Sequence, residues 1–106
     1  HGAADVFVLK AQRVGGPDRL LAIVRAATQA GIRCTVTSSI ESPVGLYLGI
    51  HCTAMPPLPM AAAGIGTARF FAEHIGEPPP IVDGHMAVPT TPGLGIAPRE
   101  WWEAQP

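Results

Sequence analysis

The chain has 106 residues, of which 47% are hydrophobic and 14% are charged, and its formal net charge is −1. This balance excludes a disordered chain, and the scattered basic residues offer no surface typical of binding to nucleic acid or to an anionic membrane. No apolar run approaches the roughly 20 residues that cross a bilayer, and the amino terminus lacks the features of a signal peptide. We therefore expect one small globular domain in the cytoplasm, with neither nucleic acid nor membrane as a partner.

The first elements along the chain are a strand and a helix. The alternating stretch "DVFVLK" predicts a strand over 5–10, with Lys10 on the face opposite Leu9. "GGP" then predicts a tight turn that leads into a helix over 17–30, because proline is well tolerated at the first helical position. Gly31 suits the left-handed residue that often follows a helix.

Two more strands and a second helix follow in the same order. "RCTVTSS" is rich in β-branched residues and predicts a strand over 33–38, and the apolar "PVGLYLGIHCTAM" predicts a buried helix over 43–55. "LPMAAAGI" predicts a buried strand over 59–65. Beyond it, "GTARFFAEHI" indicates a short helix, and "IVDGHMAVP" predicts a hairpin with Asp83 and Gly84 in its turn.

Strands and helices that alternate about every 30 residues are typical of βαβ units, so the predicted class is α/β with parallel strands. In parallel sheets the ligand lies beyond the carboxyl ends of the strands. Polar or small residues lie at or just beyond the carboxyl ends of all three predicted strands, which indicates one shared rim. These residues are Lys10, Ser38, Ser39, Glu41 and Gly64 to Gly66.

Several motifs in this order resemble one known family. "DVFVLKAQRVGG", "TSSIESPVG", the "VDG" hairpin ending in "VP" and "PGLG" resemble the carboxyl-terminal part of the muconate-lactonizing subgroup of the enolase superfamily, over nearly the whole chain. Within that subgroup "SSIES" is most similar to the o-succinylbenzoate synthases. The resemblance implies a single segment, 1–106, of a partial TIM-like barrel. It would contain three consecutive parallel βα units, the sixth to eighth strands of a (β/α)₇β barrel, and a carboxyl-terminal hairpin and tail.

The resemblance also implies a chemistry. Enzymes of this family bind Mg²⁺ and abstract a proton beside the carboxylate of a small-molecule substrate. Similarity to the synthases implies a carbon–oxygen lyase that performs a dehydration in menaquinone biosynthesis. The alternatives are a dipeptide epimerase, an N-succinylamino-acid racemase or a muconate cycloisomerase, and a non-catalytic structural remnant.

Site residues follow from the same resemblance. Lys10 matches the lysine at the end of the sixth strand and is expected to stabilise the enolate as a cation, although a lysine in this place can also simply extend into solvent. Four residues of "SSIES", and two at the carboxyl end of the third strand, are expected to contact substrate. The serines and the glutamate could instead cap the following helix, and the glycine could serve only a turn. The expected substrate-binding residues are Ser38, Ser39, Ile40, Glu41, Gly64 and Ile65.

The family's Mg²⁺ ligands and its Lys-x-Lys motif have no counterpart in this sequence, so no metal ligand is expected here. We expect the chain to be part of a longer or split enzyme, inactive alone, that associates with the missing amino-terminal portion or with another copy of itself. Cys34 and Cys52 are interpreted as packing residues and His51 as a satisfied core group. Trp101 and Trp102 are expected to cover an edge of the core.

Overall fold

A parallel pair of strands forms the centre of the fold. The computed structural model describes residues 2–55 and 62–96. Strand β1 (Val6–Leu9) lies beside strand β2 (Arg33–Val36), and both are shorter than predicted from the sequence. The parallel arrangement confirms the α/β class. The paired residues are Val6 with Arg33, Phe7 with Cys34, Val8 with Thr35, and Leu9 with Val36.

Within residues 2–55 and 62–96, three α-helices accompany the strands. Helix α2 spans Pro17–Gln29 and helix α3 spans Pro43–Thr53, so each begins at the predicted residue and ends slightly earlier than predicted. Gly31, just beyond α2, has φ of +72°, the left-handed conformation expected there. No helix within the described residues is both long enough and apolar enough to span a membrane.

A short helix directly after β1 was not predicted. Helix α1 spans Ala11–Val14, and the Lys10 carbonyl accepts hydrogen bonds from the amides of Arg13 and Val14 at 2.9 and 3.0 Å. Gly15, at φ of +98°, ends the helix. One turn of helix has too few residues to show hydrophobic periodicity, so the sequence pattern could not reveal it.

The helices pack against one face of the sheet. Phe7 and Leu9 of β1 and Cys34 and Val36 of β2 lie on this face, where α2 and α3 cover them. The buried cluster contains Leu9, Ala11, Leu20, Val24, Ala27, Cys34, Val36 and Cys52. The opposite face is open to solvent, and Val8 is 61% exposed there. The alternation within "DVFVLK" therefore separates a helix-covered face from an open face.

The third predicted strand lies next to β2. Gly64 pairs with Thr37 in parallel orientation, and the Gly64 amide donates to Val36 O at 3.0 Å. The Ser38 amide in turn donates to Gly64 O at 3.0 Å. Residues 59–61 of the predicted strand lie outside the described residues, as do Trp101 and Trp102. Thus β2 lies between β1 and the segment that contains Gly64, which is the third segment of the sheet.

The short helix predicted over "GTARFFAEHI", beyond the third segment, is mostly absent. Only Ala68–Phe70 forms a 3₁₀ turn, and Phe71 is already extended. Phe70 is 60% exposed and Ile75 is 41% exposed, so no apolar face is buried that could stabilise a helix. The hairpin is confirmed: Val82 and His85 exchange backbone hydrogen bonds of 2.9 and 2.8 Å across Asp83 and Gly84. Both turn residues have positive φ, as the commonest two-residue hairpin turn requires.

Candidate functional site

Lys10 follows the last residue of β1, and its side chain contacts the end of the neighbouring strand. Its ammonium donates to Thr37 Oγ1 at 3.1 Å and to Ser38 O at 2.6 Å. The side chain is half-buried, so this lysine does not simply extend into solvent. The two contacts hold the ammonium on the open face of the sheet, beside the carboxyl ends of β1 and β2.

Thr37 is a site residue that the sequence interpretation missed. Leu9 pairs with Val36, so the next residues, Lys10 and Thr37, are neighbours on the open face. The signal was present in the alternation of "RCTVTSS", which places Thr37 opposite the buried Val36. It could be used only once the register between the strands was known.

Ser38 lies at the rim, but its side chain is buried and bonded within the protein. The residue is 7% exposed, and its Oγ lies 3.3 Å from Gly64 O and 3.0 Å from Thr67 Oγ1. The Thr67 hydroxyl also donates to Ser39 O at 3.1 Å. These bonds join the end of β2 to the third segment. Thr67 was not predicted, and its polar side chain shortly after a strand end was the available signal.

Glu41 folds back over the turn between β2 and α3. Its Oε1 accepts a hydrogen bond from the Ser39 amide at 3.1 Å. Ser42 is the N-cap residue of α3, and no side chain caps that helix. The alternative interpretation of these residues as helix caps is therefore not what the structure shows.

The other expected substrate-binding residues occupy different environments. Ile40 is 67% exposed at the rim, whereas Ile65 is only 6% exposed. Ile65 faces α3, where a Cβ placed on Gly49 would lie 3.4 Å from Ile65 Cγ2. Gly64 approaches β2 closely, because a Cβ there would lie 2.9 Å from Thr37 Cγ2. Lys10, the serines, Glu41 and Gly64 thus lie together, while Ile65 belongs to the core.

The described residues do not fit a Mg²⁺ site. No group of three or more His, Cys, Asp or Glu side chains in 2–55 and 62–96 converges so that it could hold a metal ion. His51, within α3, pairs its Nε2 with Leu94 O at 3.1 Å, in agreement with its interpretation as a satisfied group. Cys34 and Cys52 are buried free thiols, as expected of packing residues. The chemistry of the rim in this chain therefore depends on an ammonium, hydroxyl groups and one carboxylate.

Known proteins are similar in sequence to this chain along most of its length. An o-succinylbenzoate synthase of Mycobacterium ulcerans (strain Agy99) is 40% identical over 95% of this chain and 33% of its own. Muconate cycloisomerase 1 of Rhodococcus opacus is 38% identical over 91% of this chain and 26% of its own. The chain thus spans about a third or less of the length of these relatives.

A solved structure shares the fold as well. The muconate lactonizing enzyme of Klebsiella pneumoniae superposes with a TM-score of 0.82 and 31% identity, over 92% of this chain and 27% of that enzyme. The family model described as "Enolase C-terminal domain-like" matches residues 1–102. Since that match covers nearly the whole sequence, the chain belongs to the enolase C-terminal domain-like family, as the resemblance of its motifs implied.

Proposed function

We propose that this chain is the carboxyl-terminal barrel segment of an enzyme that abstracts a proton beside a carboxylate, and that the enzyme is an o-succinylbenzoate synthase. The observation that carries the proposal is the position of Lys10, whose ammonium lies between Thr37 Oγ1 and Ser38 O on the open face of the sheet. The ammonium is thus held at the carboxyl ends of parallel strands, where ligands bind in such folds. The 40% identity to the synthase of Mycobacterium ulcerans supports the choice of substrate.

Lys10 would act on the charge that develops during the reaction. Removing a proton beside a carboxylate leaves an enolate with a second negative charge, and a fixed ammonium lowers the free energy of that species. A dehydration is completed when the hydroxyl group on the neighbouring carbon accepts this proton back from the protonated base and leaves as water. The proton would be removed by a base outside this chain, in accord with the family's paired lysines. Mg²⁺ would be held by carboxylates of the complete enzyme that do not belong to this segment.

Muconate cycloisomerase is the second candidate. The 38% identity to the Rhodococcus opacus enzyme and the structural similarity to the Klebsiella pneumoniae enzyme favour it. A dipeptide epimerase or an N-succinylamino-acid racemase would use the same rim, with both of the paired lysines transferring protons. A non-catalytic remnant would not use the rim for chemistry. The "SSIES" turn, whose backbone carries the contact to Lys10, favours the synthase among these.

The test is turnover by the full-length protein, with and without Lys10. We expect dehydration of the cyclohexadiene precursor, and we expect Lys10→Ala to lower kcat by about a hundred- to a thousand-fold, because one electrostatic stabiliser of the enolate is lost. Arg13→Ala is the matched control, since this exposed cation lies three residues away on α1 and should leave the rate unchanged.

Three outcomes would contradict the proposal. Turnover of muconate or of N-succinyl amino acids without dehydration of the precursor would reassign the substrate. An unchanged rate in Lys10→Ala would remove this lysine from the reaction. Absence of turnover on every substrate, in a folded full-length protein, would support the structural remnant.

A further inference from the structure

One peptide group at the rim is hydrogen-bonded on both sides by charged side chains. The carbonyl of Ser38 accepts from Lys10 Nζ at 2.6 Å, and the amide N–H of Ser39 donates to Glu41 Oε1 at 3.1 Å. These two atoms belong to the same peptide unit. The carboxylate therefore faces the positive end of the amide dipole and the ammonium faces its negative end, an arrangement in which each hydrogen bond strengthens the other.

The fold leaves space for this carboxylate at one place on α3. A Cβ on Gly45 would lie 2.6 Å from Glu41 Oε2 and 3.1 Å from Glu41 Cβ. Gln12 of α1 donates to Gly45 O at 3.1 Å, and its Nε2 would lie 3.2 Å from the same Cβ. Glu41 is thus packed against α3 beside Gln12, and any side chain at position 45 would displace it.

We propose that Glu41 is a positioning residue for Lys10, which acts through the Ser38–Ser39 peptide. It fixes the direction of the Ser38 carbonyl and thereby the position of the lysine ammonium. This inference deepens the proposed function: its kinetic consequence rests on that function, whereas the hydrogen-bonded arrangement does not. It differs from the expectation that Glu41 contacts substrate.

Other charged groups near Lys10 do not supply the same effect. Asp5 and Arg33 lie at the opposite ends of the two strands, where the Arg33 amide bonds Asp5 O at 3.2 Å. Arg13 is exposed on α1. Of the charged side chains in or beside β1, α1 and β2, only that of Glu41 is hydrogen-bonded to the peptide group whose carbonyl accepts from Lys10.

The direct test follows the Lys10 side chain by NMR. Lys10 is the sole lysine of this 106-residue sequence, and Lys10→Arg identifies its signal in the full-length protein labelled with [¹³Cε]lysine. Glu41→Gln keeps an oxygen that can accept from Ser39 but removes the negative charge. We expect the ¹³Cε signal of Lys10 to shift and its order parameter to fall, because the Ser38 carbonyl that holds the ammonium loses its charged partner. Glu73→Gln, an exposed carboxylate elsewhere, should leave both unchanged.

A second pair of variants tests the geometry without a change of charge. Gly45→Ala and Gly49→Ala both lie in α3 and gain the same helix propensity, about 1 kcal/mol. At position 49 the new Cβ meets Ile65 at an ordinary 3.4 Å, whereas at position 45 it displaces the Glu41 carboxylate. Gly45→Ala should therefore change the Lys10 signal as Glu41→Gln does, and Gly49→Ala should not.

The outcomes separate this inference from the proposed function. A Lys10 signal that is unchanged in both Glu41→Gln and Gly45→Ala overturns the inference, and so does a Glu41→Gln variant whose sole defect is a higher KM, since that defect indicates contact with substrate. A changed signal in a protein without any dehydratase activity supports the positioning role and rejects the function. If the enzyme is active, kcat should fall in both variants while KM stays unchanged.

Discussion

Lys10 owes its position to residues that are distant in sequence. Its two acceptors lie 27 and 28 residues away, at the end of β2. Thr37 in turn packs closely against Gly64 of the third segment, where a Cβ would lie only 2.9 Å from Thr37 Cγ2. The position of this ammonium therefore depends on how three chain segments are aligned. Its role depends on the parallel register and not on its local sequence alone.

The two buried thiols predict an alkaline limit to stability. Burial raises the pKa of Cys34 and of Cys52, because the thiolate is poorly solvated inside the core. In the unfolded chain the pKa of these thiols is about 8.5. Their contribution is therefore complete below that pH and is lost as the pH rises toward the folded-state values.

Urea unfolding at about pH 7 and pH 9.5 measures this effect. The free energy of unfolding should fall between the two values by at most about 1.4 kcal/mol for each thiol, because pH 9.5 lies only about one unit above the pKa of an unfolded thiol. The Cys34→Ala, Cys52→Ala double variant should lose less between the same two pH values, although it is less stable overall. The same decrease in both proteins would contradict the prediction.

Helix α2 is held by its buried face and not by its intrinsic propensity. Leu20, Val24 and Ala27 recur at three- and four-residue spacing and are at most 3% exposed. They belong to the same buried cluster as Leu9 and Val36, so this cluster connects the helix with both strands. Helices of this length depend on such packing in water.

Leu20→Ala is expected to destabilise the protein by about 2–5 kcal/mol, because it opens a cavity where no solvent reaches. Arg25→Ala, on the exposed face of the same helix, should change stability by no more than about 0.5 kcal/mol. Denaturant unfolding of both variants provides the comparison. A loss below about 1 kcal/mol for Leu20→Ala would show that the core relaxes around the gap.

The open face of the sheet determines how the whole chain should behave. Parallel sheets are normally covered on both faces, but here Val8 is 61% exposed and β1 pairs only with β2 among the described residues. An exposed apolar side chain on an uncovered sheet face and an unpaired strand edge favour association. We propose that the face is covered in solution by the amino-terminal portion of the enzyme or by a second copy of the chain.

Size-exclusion chromatography with light scattering tests this proposal on the 106-residue chain. We expect a dimer or larger species at micromolar concentration, or a defined complex when the amino-terminal portion is supplied. Val8→Lys, which places a charge on the open face, should weaken the association, whereas Arg25→Ala on the opposite side should not. A stable monomer that forms no complex with the amino-terminal portion would contradict the proposal.

The sequence by itself determined the local elements. Alternation in "DVFVLK", the glycine and proline before α2 and the "VDG" turn each act within a few residues, so periodicity and turn chemistry were sufficient. The order of these elements predicted the parallel class, and the motifs identified the family. The short helix over "GTARFFAEHI" was wrong in extent, because its formation would have needed an apolar partner surface that the fold does not provide.

Only the tertiary structure decided what the rim residues do. Ser38 was expected to face a ligand, yet its hydroxyl bonds Gly64 and Thr67 across 26 and 29 residues. Glu41 bonds a backbone amide two residues away, and its fit depends on a missing Cβ in α3. Hydrogen bonds between distant segments need defined distances and directions, and a linear pattern of residue types contains neither.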